Sequence, residues 1–195
     1  MSSLRAQDFT TRKGWLSLGL ILLEWCIIAG TIVLSEYLNN LWMYLLAVWI
    51  IGGRMVALAE VLGHDAVHNN LFQTKHLNRT LDFLWFLPLF ESYDSYREAH
   101  NRHHAFLMTP KDPAYQDYKR WGLLEGSPNY FWVWLVRPFF FFATYYMFQT
   151  IVDGFWNDPV YRRRVLSFWA PALGVGALTG GWELLLLYWL VPLFW

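Results

Sequence analysis

Cysteine is almost missing from this chain: the single one, Cys26, sits inside an apolar run, so neither a disulfide framework nor a cysteine-based zinc site can form within it. Charge is scarce as well. Only 15% of the residues are Asp, Glu, Lys or Arg, and 15 basic residues against 15 acidic ones leave no excess of either sign. With no basic surplus to neutralise phosphates, nucleic acid is excluded as a partner. Histidine is absent outside one stretch, His64 to His104, where five of the six fall into two tight clusters. What fills the chain is apolar: 56% of its 195 residues are hydrophobic and 20% are aromatic. That is too apolar for a soluble domain of this size and points to a membrane protein.

The apolar residues are laid out in runs. Met1 to Lys13 is polar and carries Arg5, Arg12 and Lys13. Trp15 to about Ser35 is then apolar apart from Glu24 and is long enough to span; a signal peptide has a shorter apolar core and no second run directly behind it. After a short connection at Glu36 to Asn40, a second span from Leu41 to Leu62, interrupted by Arg54 and Glu60, runs straight into His64. Leu81 to Phe90, with Pro88 inside, is too short to span and reads as a segment lying in the interface. Thr109-Pro110-Lys111-Asp112-Pro113 is turn chemistry. A third span is predicted from Val165 to Thr179, a turn at Gly180-Gly181, and a fourth span from Trp182 to Trp195. At about 1.5 Å per residue this last run covers about 21 Å of a ~30 Å hydrocarbon core, with no polar cap behind it. The sequence therefore predicts a C-terminally truncated piece of a longer protein.

Charge placement orients these runs. Lys and Arg are absent from the Glu36 to Asn40 connection but occur at the N-terminus, through Lys75 to Arg120, and at Arg162 to Arg164. The positive-inside rule puts all three basic regions on the cytoplasmic side. Phe131 to Val152 is long and aromatic enough to span, yet it carries Arg137 and Pro138, and a crossing there would carry Arg162 to Arg164 outside. It reads instead as an in-plane or re-entrant segment. The predicted fold is an all-α integral membrane protein, a single domain over residues 1–195. Four spans, at about 15–35, 41–62, 165–179 and 182–195, form a bundle with a cytoplasmic histidine-bearing region and interfacial helices.

That region holds the chemistry. It reads His64-Asp65-Ala66-Val67-His68 and later His100-Asn101-Arg102-His103-His104. On a helix, H-x-x-x-H puts two imidazoles on one face one turn apart, and H-x-x-H-H lines three along one stripe. A lone histidine is an ordinary surface or core residue. Two such clusters in a chain otherwise almost without histidine point to a bound metal, and nitrogen-rich sites suit iron, zinc, copper or nickel. The candidate ligands are His64, His68, His100, His103 and His104. His76 fits neither spacing and reads as a polar loop residue. Glu60, one turn before His64, reads either as a group orienting that imidazole or as a charge solvated where the helix leaves the bilayer.

At these residues the sequence resembles the membrane-bound fatty acid desaturases, integral membrane di-iron enzymes with histidine boxes on the cytoplasmic side of a four-span bundle. The likeness takes in both boxes, Leu77-Asn78-Arg79, Tyr96-Arg97, Asp112-Pro113 and Leu187-Tyr188-Trp189-Leu190-Val191-Pro192. It covers roughly residues 41 to 195. It implies O2-dependent dehydrogenation of an acyl chain in a membrane lipid, two irons, and electrons from a separate ferredoxin or haem protein. It also makes Asp65 and Asp112 candidates for orienting ligands, although turn or cap roles fit both at least as well. The family completes its site with a third box, usually H-x-x-H-H, which this sequence does not contain. Five histidines fall short of the eight or so nitrogens that two irons want, so the chain by itself is expected to be inactive. A carotenoid ketolase, a hydroxylase or another lipid hydroxylase on the same scaffold is the nearest alternative. A non-enzymatic metal-binding protein or transporter would place its ligands near mid-membrane, whereas both clusters here lie outside the apolar runs.

Overall fold

The computed structural model describes residues 14–120, 123–124, 129, 131–132 and 142–194. The basic N-terminal stretch through Lys13, the Arg137-Pro138 dipeptide and Trp195 lie outside the described residues. All regular structure among the described residues is helical, with no strand. It forms two compact units, one up to Phe86 and one from Leu87.

The first unit is built on two long helices. α1 runs Gly14–Leu38, and α2, Leu41–Val56, continues without a break through a π-helical stretch, Ala57–Gly63, into the short α3, His64–Val67. Asn39 makes the turn between α1 and α2 at φ +43°, a left-handed conformation that asparagine tolerates. Asn40 then caps α2, its side chain accepting from the Met43 N–H at 3.0 Å. Both Gly14–Leu38 and Leu41–Val67 are long and apolar enough to cross a membrane. Only 11% and 33% of their most apolar windows are buried. Trp42 and Trp49 stand 78% and 72% exposed, a surface that lipid accepts and water does not. At about 1.5 Å per residue, the 27 residues of Leu41–Val67 reach about 40 Å, more than a ~30 Å hydrocarbon layer needs. The histidine end has length to spare.

Polar contacts tie this unit together. Arg54 reaches Glu24 across α1 and α2 at 3.4 Å. Ser17 donates to the Leu71 carbonyl at 2.8 Å, and Trp25 Nε1 to that of Leu84 at 3.0 Å. Asn78, fully buried on α4 (Lys75–Thr80), accepts from the Phe72 N–H and donates to the Phe72 carbonyl, both at 3.0 Å. One amide thereby satisfies a stretch of backbone that has no helix to do so. The run from Leu81, read from sequence as interfacial, is packed inside here: Trp85 and Phe86 have no exposed surface. Phe86 lies against Gly63 so closely that an added Cβ would overlap the ring. Only glycine allows the end of the α2 column to approach this far.

In the second unit the rest of that run makes a 3-10 turn, Leu87–Leu89, also buried. Pro88 prevents a continuous helical ladder, which leaves carbonyls in apolar surroundings that must find donors elsewhere. Aromatic side chains supply them. Trp169 Nε1 donates to Leu87 at 2.9 Å, Trp189 Nε1 to Pro88 at 2.7 Å, and the Tyr161 hydroxyl to Phe90. The Phe90 ring stacks on Trp169, 4.3 Å between centroids and 6° from parallel. Tyr161, Val165 and Trp169 form a buried core on α8, Pro159–Thr179, joined by Phe155, Phe168 and Leu185. Asp158 caps α8 by accepting from the Val160 and Tyr161 N–H groups, Pro159 occupies its first position, and Gly180 ends it at φ +71°. α7 spans Phe142–Asn157, so the described half of the segment Phe131 to Val152 is helical. The last column is α9 (Trp182–Leu185), a π-helical stretch (Leu186–Leu190) and α10 (Val191–Phe194). The polar helices α5, Tyr93–Phe106, and α6, Pro113–Arg120, belong to this unit as well.

Candidate metal centre

The first histidine cluster belongs to the first unit. His64 opens α3 and His68 closes it, with the His68 N–H bonded to the His64 carbonyl at 3.3 Å. One helical turn therefore stacks the two rings 4.7 Å apart, 62° from parallel, with candidate ligand atoms within 4.8 Å of each other. The preceding π-helical stretch is a feature that recurs at functional sites, because its wider turn re-aims the side chains beyond it. Asp65 lies 3.6 Å from His64 Nδ1, and its backbone carbonyl accepts from the Asn70 N–H at 2.7 Å, so it also shapes the turn after the cluster. Glu60 is exposed on the π-helical stretch. His76 is exposed on α4, a short helix rather than the loop the sequence suggested, and its carbonyl accepts from the Thr80 hydroxyl.

The second cluster belongs to the second unit and rides on α5. Ser92 caps this helix, its hydroxyl accepting from the Ser95 N–H at 3.2 Å. His100 and His104, one turn apart, bring their Nε2 atoms to 2.9 Å, with rings 4.5 Å apart and 83° from parallel. Tyr96 stacks on His100 at 5.6 Å. His103 is turned away from that pair: its Nδ1 lies 2.9 Å from Asp112 Oδ1. Asp112 has no exposed surface. Its Oδ1 also accepts from the Ala114 N–H and its Oδ2 from the Met108 N–H, both at 2.9 Å. Burial raises the carboxyl's pKa, but the hydrogen bonds from His103, Met108 and Ala114 and the attraction of the His103 ring outweigh it, so the group is held below the ordinary carboxylate value.

The donor set fits a transition metal. Imidazole nitrogens suit iron, copper, zinc and nickel. Two nitrogens bound to one ion at about 2.1 Å in adjacent positions at about 90° stand about 3 Å apart, the separation His100 and His104 have here. Sequence spacing had already singled out all five histidines. It named Asp112 without a partner, and it gave no sign of Gly63 or of the buried role of Asn78.

Two helices able to cross a membrane and two histidine clusters set on helices describe a membrane protein of the histidine-box class. The profile of the fatty acid desaturase family matches residues 39–195, and the chain belongs to that family. It is 34% identical over 89 residues to a Synechocystis protein named sn-1 acyl-lipid omega-3 desaturase (ferredoxin), covering 46% of this chain and 24% of that one. It is 35% identical over 90 residues to an sn-1 oleoyl-lipid 12-desaturase of Picosynechococcus, covering 46% of this chain and 26% of the relative. A longer match, 24% identical over 185 residues, joins 85% of the chain to half (50%) of an sn-1 acyl-lipid omega-3 desaturase (ferredoxin) of Nostoc. The chain thus spans at most about half the length of these relatives. No solved structure matches it significantly.

Proposed function

We propose that this chain carries two of the histidine boxes of a membrane acyl-lipid desaturase, an oxidoreductase that introduces a double bond into a fatty acyl chain. The observation that carries the reading is the 2.9 Å approach of the His100 and His104 Nε2 atoms, on a helix inside the stretch that matches the family. In this reading His64, His68, His100, His103 and His104 are ligands to iron. Iron with O2 supplies an oxidant able to take hydrogen from an unactivated methylene, which no side chain provides. The protein's own part is placement. The Gly63–Phe86 contact fixes the end of the α2 column under His64 and His68, while the Ser92 cap and Tyr96 stacking fix α5 under His100 and His104.

The substrate class comes from the relatives, whose names describe desaturases of acyl or oleoyl lipids. A separate ferredoxin or a haem protein is the electron donor in this reading, supported by the ferredoxin in the Synechocystis relative's name. The desaturase names of these relatives disfavour a ketolase, a hydroxylase or a transporter. We read the chain as one domain, since the family match runs from 39 to 195. In this reading the chain has four spans with both boxes on the cytoplasmic side, an orientation supported by the basic residues at Lys75 to Arg120 and Arg162 to Arg164.

Two irons in the family want eight or so nitrogens, and the boxes in this sequence hold five. The activity accordingly belongs to the protein in which those ligands are completed. The 195-residue chain alone should hold about one ion at most. The test is to express it in a host without desaturases, then measure iron per chain in the purified protein and double bonds in the host's acyl chains. Iron near one per chain and unchanged lipids are expected. New double bonds from this chain alone would overturn the ligand count, and absence of bound metal under iron-replete growth would overturn the metal reading.

A further inference from the structure

The fully buried carboxylate of Asp112 is more than a helix cap. It stands directly before Pro113, the first residue of α6, and accepts from the Ala114 N–H as an ordinary N-cap aspartate does. A cap needs only that. Here the same oxygen also takes the His103 ring at 2.9 Å, and the second oxygen is occupied by the Met108 N–H. Met108 sits at φ +58° in the bend after α5, a strained position for a side-chain-bearing residue. The bend is thus folded back so that the carboxylate meets the last turn of the helix that bears the second cluster. An ionised carboxylate can only accept, so His103 must present Nδ1–H to it. That leaves the Nε2 lone pair as the one nitrogen free to bind a metal.

We infer that Asp112 is a positioning residue of the second cluster: it locks His103 in the Nδ1–H tautomer and so leaves Nε2 as the nitrogen that ring offers to a metal. The inference rests on the metal reading proposed above. Carboxylates that hold a ligating imidazole in this way typically change metal affinity 10–100-fold when removed. The arrangement separates His103 from the other two histidines of its box, which spacing alone treats as equivalent.

The test uses the 195-residue chain in lipid nanodiscs. Nitrogen-15 NMR of the metal-free protein, with His103 assigned by its loss in His103→Gln, reads the tautomer without any metal. Cobalt(II) titration of the wild type, Asp112→Ala, His103→Gln and the double variant then reads affinity. The expected result is a single Nδ1–H tautomer for His103, a 10–100-fold loss of cobalt affinity in Asp112→Ala, and no further loss when that change is added to His103→Gln. A His103 protonated at Nε2 would overturn the inference, and this arm does not depend on how Asp112→Ala folds. Equal losses in both backgrounds would do the same, since they mean that Asp112 acts only on the fold. A wild type that binds no cobalt while keeping the Nδ1–H tautomer would overturn the metal reading, and Asp112 would then be a cap alone.

Discussion

Glu24 and Arg54 each interrupt an otherwise apolar run, and from sequence each reads as an isolated cost. Together they make one ion pair at 3.4 Å between α1 and α2. Arg54 stands about 20 Å along α2 and Glu24 about 15 Å along α1, both well inside helices able to cross a membrane. Glu24→Leu leaves a guanidinium without a counter-charge in that layer and should cost about 3 kcal/mol, whereas Glu24→Leu with Arg54→Leu removes both charges and should restore stability. Thermal unfolding of Glu24→Leu, Arg54→Leu and the double variant in detergent checks this; additive losses would show that the pair is not coupled. The contrast between this pair and the histidines shows what a sequence can carry. The boxes were legible because their partners are one turn away on the same helix, where spacing fixes geometry. Glu24 with Arg54, Asp112 with His103, and Asn78 with Phe72 are pairings that only the path of the chain decides, and no local period encodes them.

At the scale of elements, helix type was legible and helix ends less so. The apolar runs predicted the long helices, and Asn40, Asp158-Pro159 and Gly180 mark their ends by ordinary cap chemistry. The Leu81 to Phe90 run was read as interfacial because ten apolar residues with a proline cannot span. The burial of its Leu87 to Phe90 end depends on donors from Tyr161, Trp169 and Trp189, which lie at least 71 residues away. Trp169→Phe keeps the ring against Phe90 but leaves the Leu87 carbonyl unsatisfied, and should lower stability by about 1–3 kcal/mol. Chemical denaturation in mild detergent measures it, and an unchanged midpoint would mean that water or another donor serves that carbonyl. Gly63→Ala drives a methyl group into the Phe86 ring and should cost about 1–3 kcal/mol by overpacking. Adding Phe86→Leu should recover most of that loss. Failure of the second change to rescue the first would place the strain somewhere other than this contact.

For the whole molecule, composition and run length carried the all-helical class and the two helices able to cross a membrane. The four-span arrangement rests on charge placement and has its own test. Cys26 is exposed and is first replaced by serine. Single cysteines at Asn39, Lys111 and Arg163 are then probed in intact cells with a reagent that cannot cross the membrane. Labelling at Asn39 and protection at Lys111 and Arg163 are expected; labelling at Arg163 would make the segment Phe131 to Val152 a true crossing. The central claim is narrower than topology: the histidine clusters bind a metal ion. Its most direct test is the metal content of the chain purified from iron-supplemented cells, compared with single His64→Ala, His68→Ala, His100→Ala, His103→Ala, His104→Ala and His76→Ala variants. The account predicts about one ion per wild-type chain, a large loss in each of the first five, and none in His76→Ala. Metal retained in both His68→Ala and His104→Ala, or lost equally in His76→Ala, would contradict it.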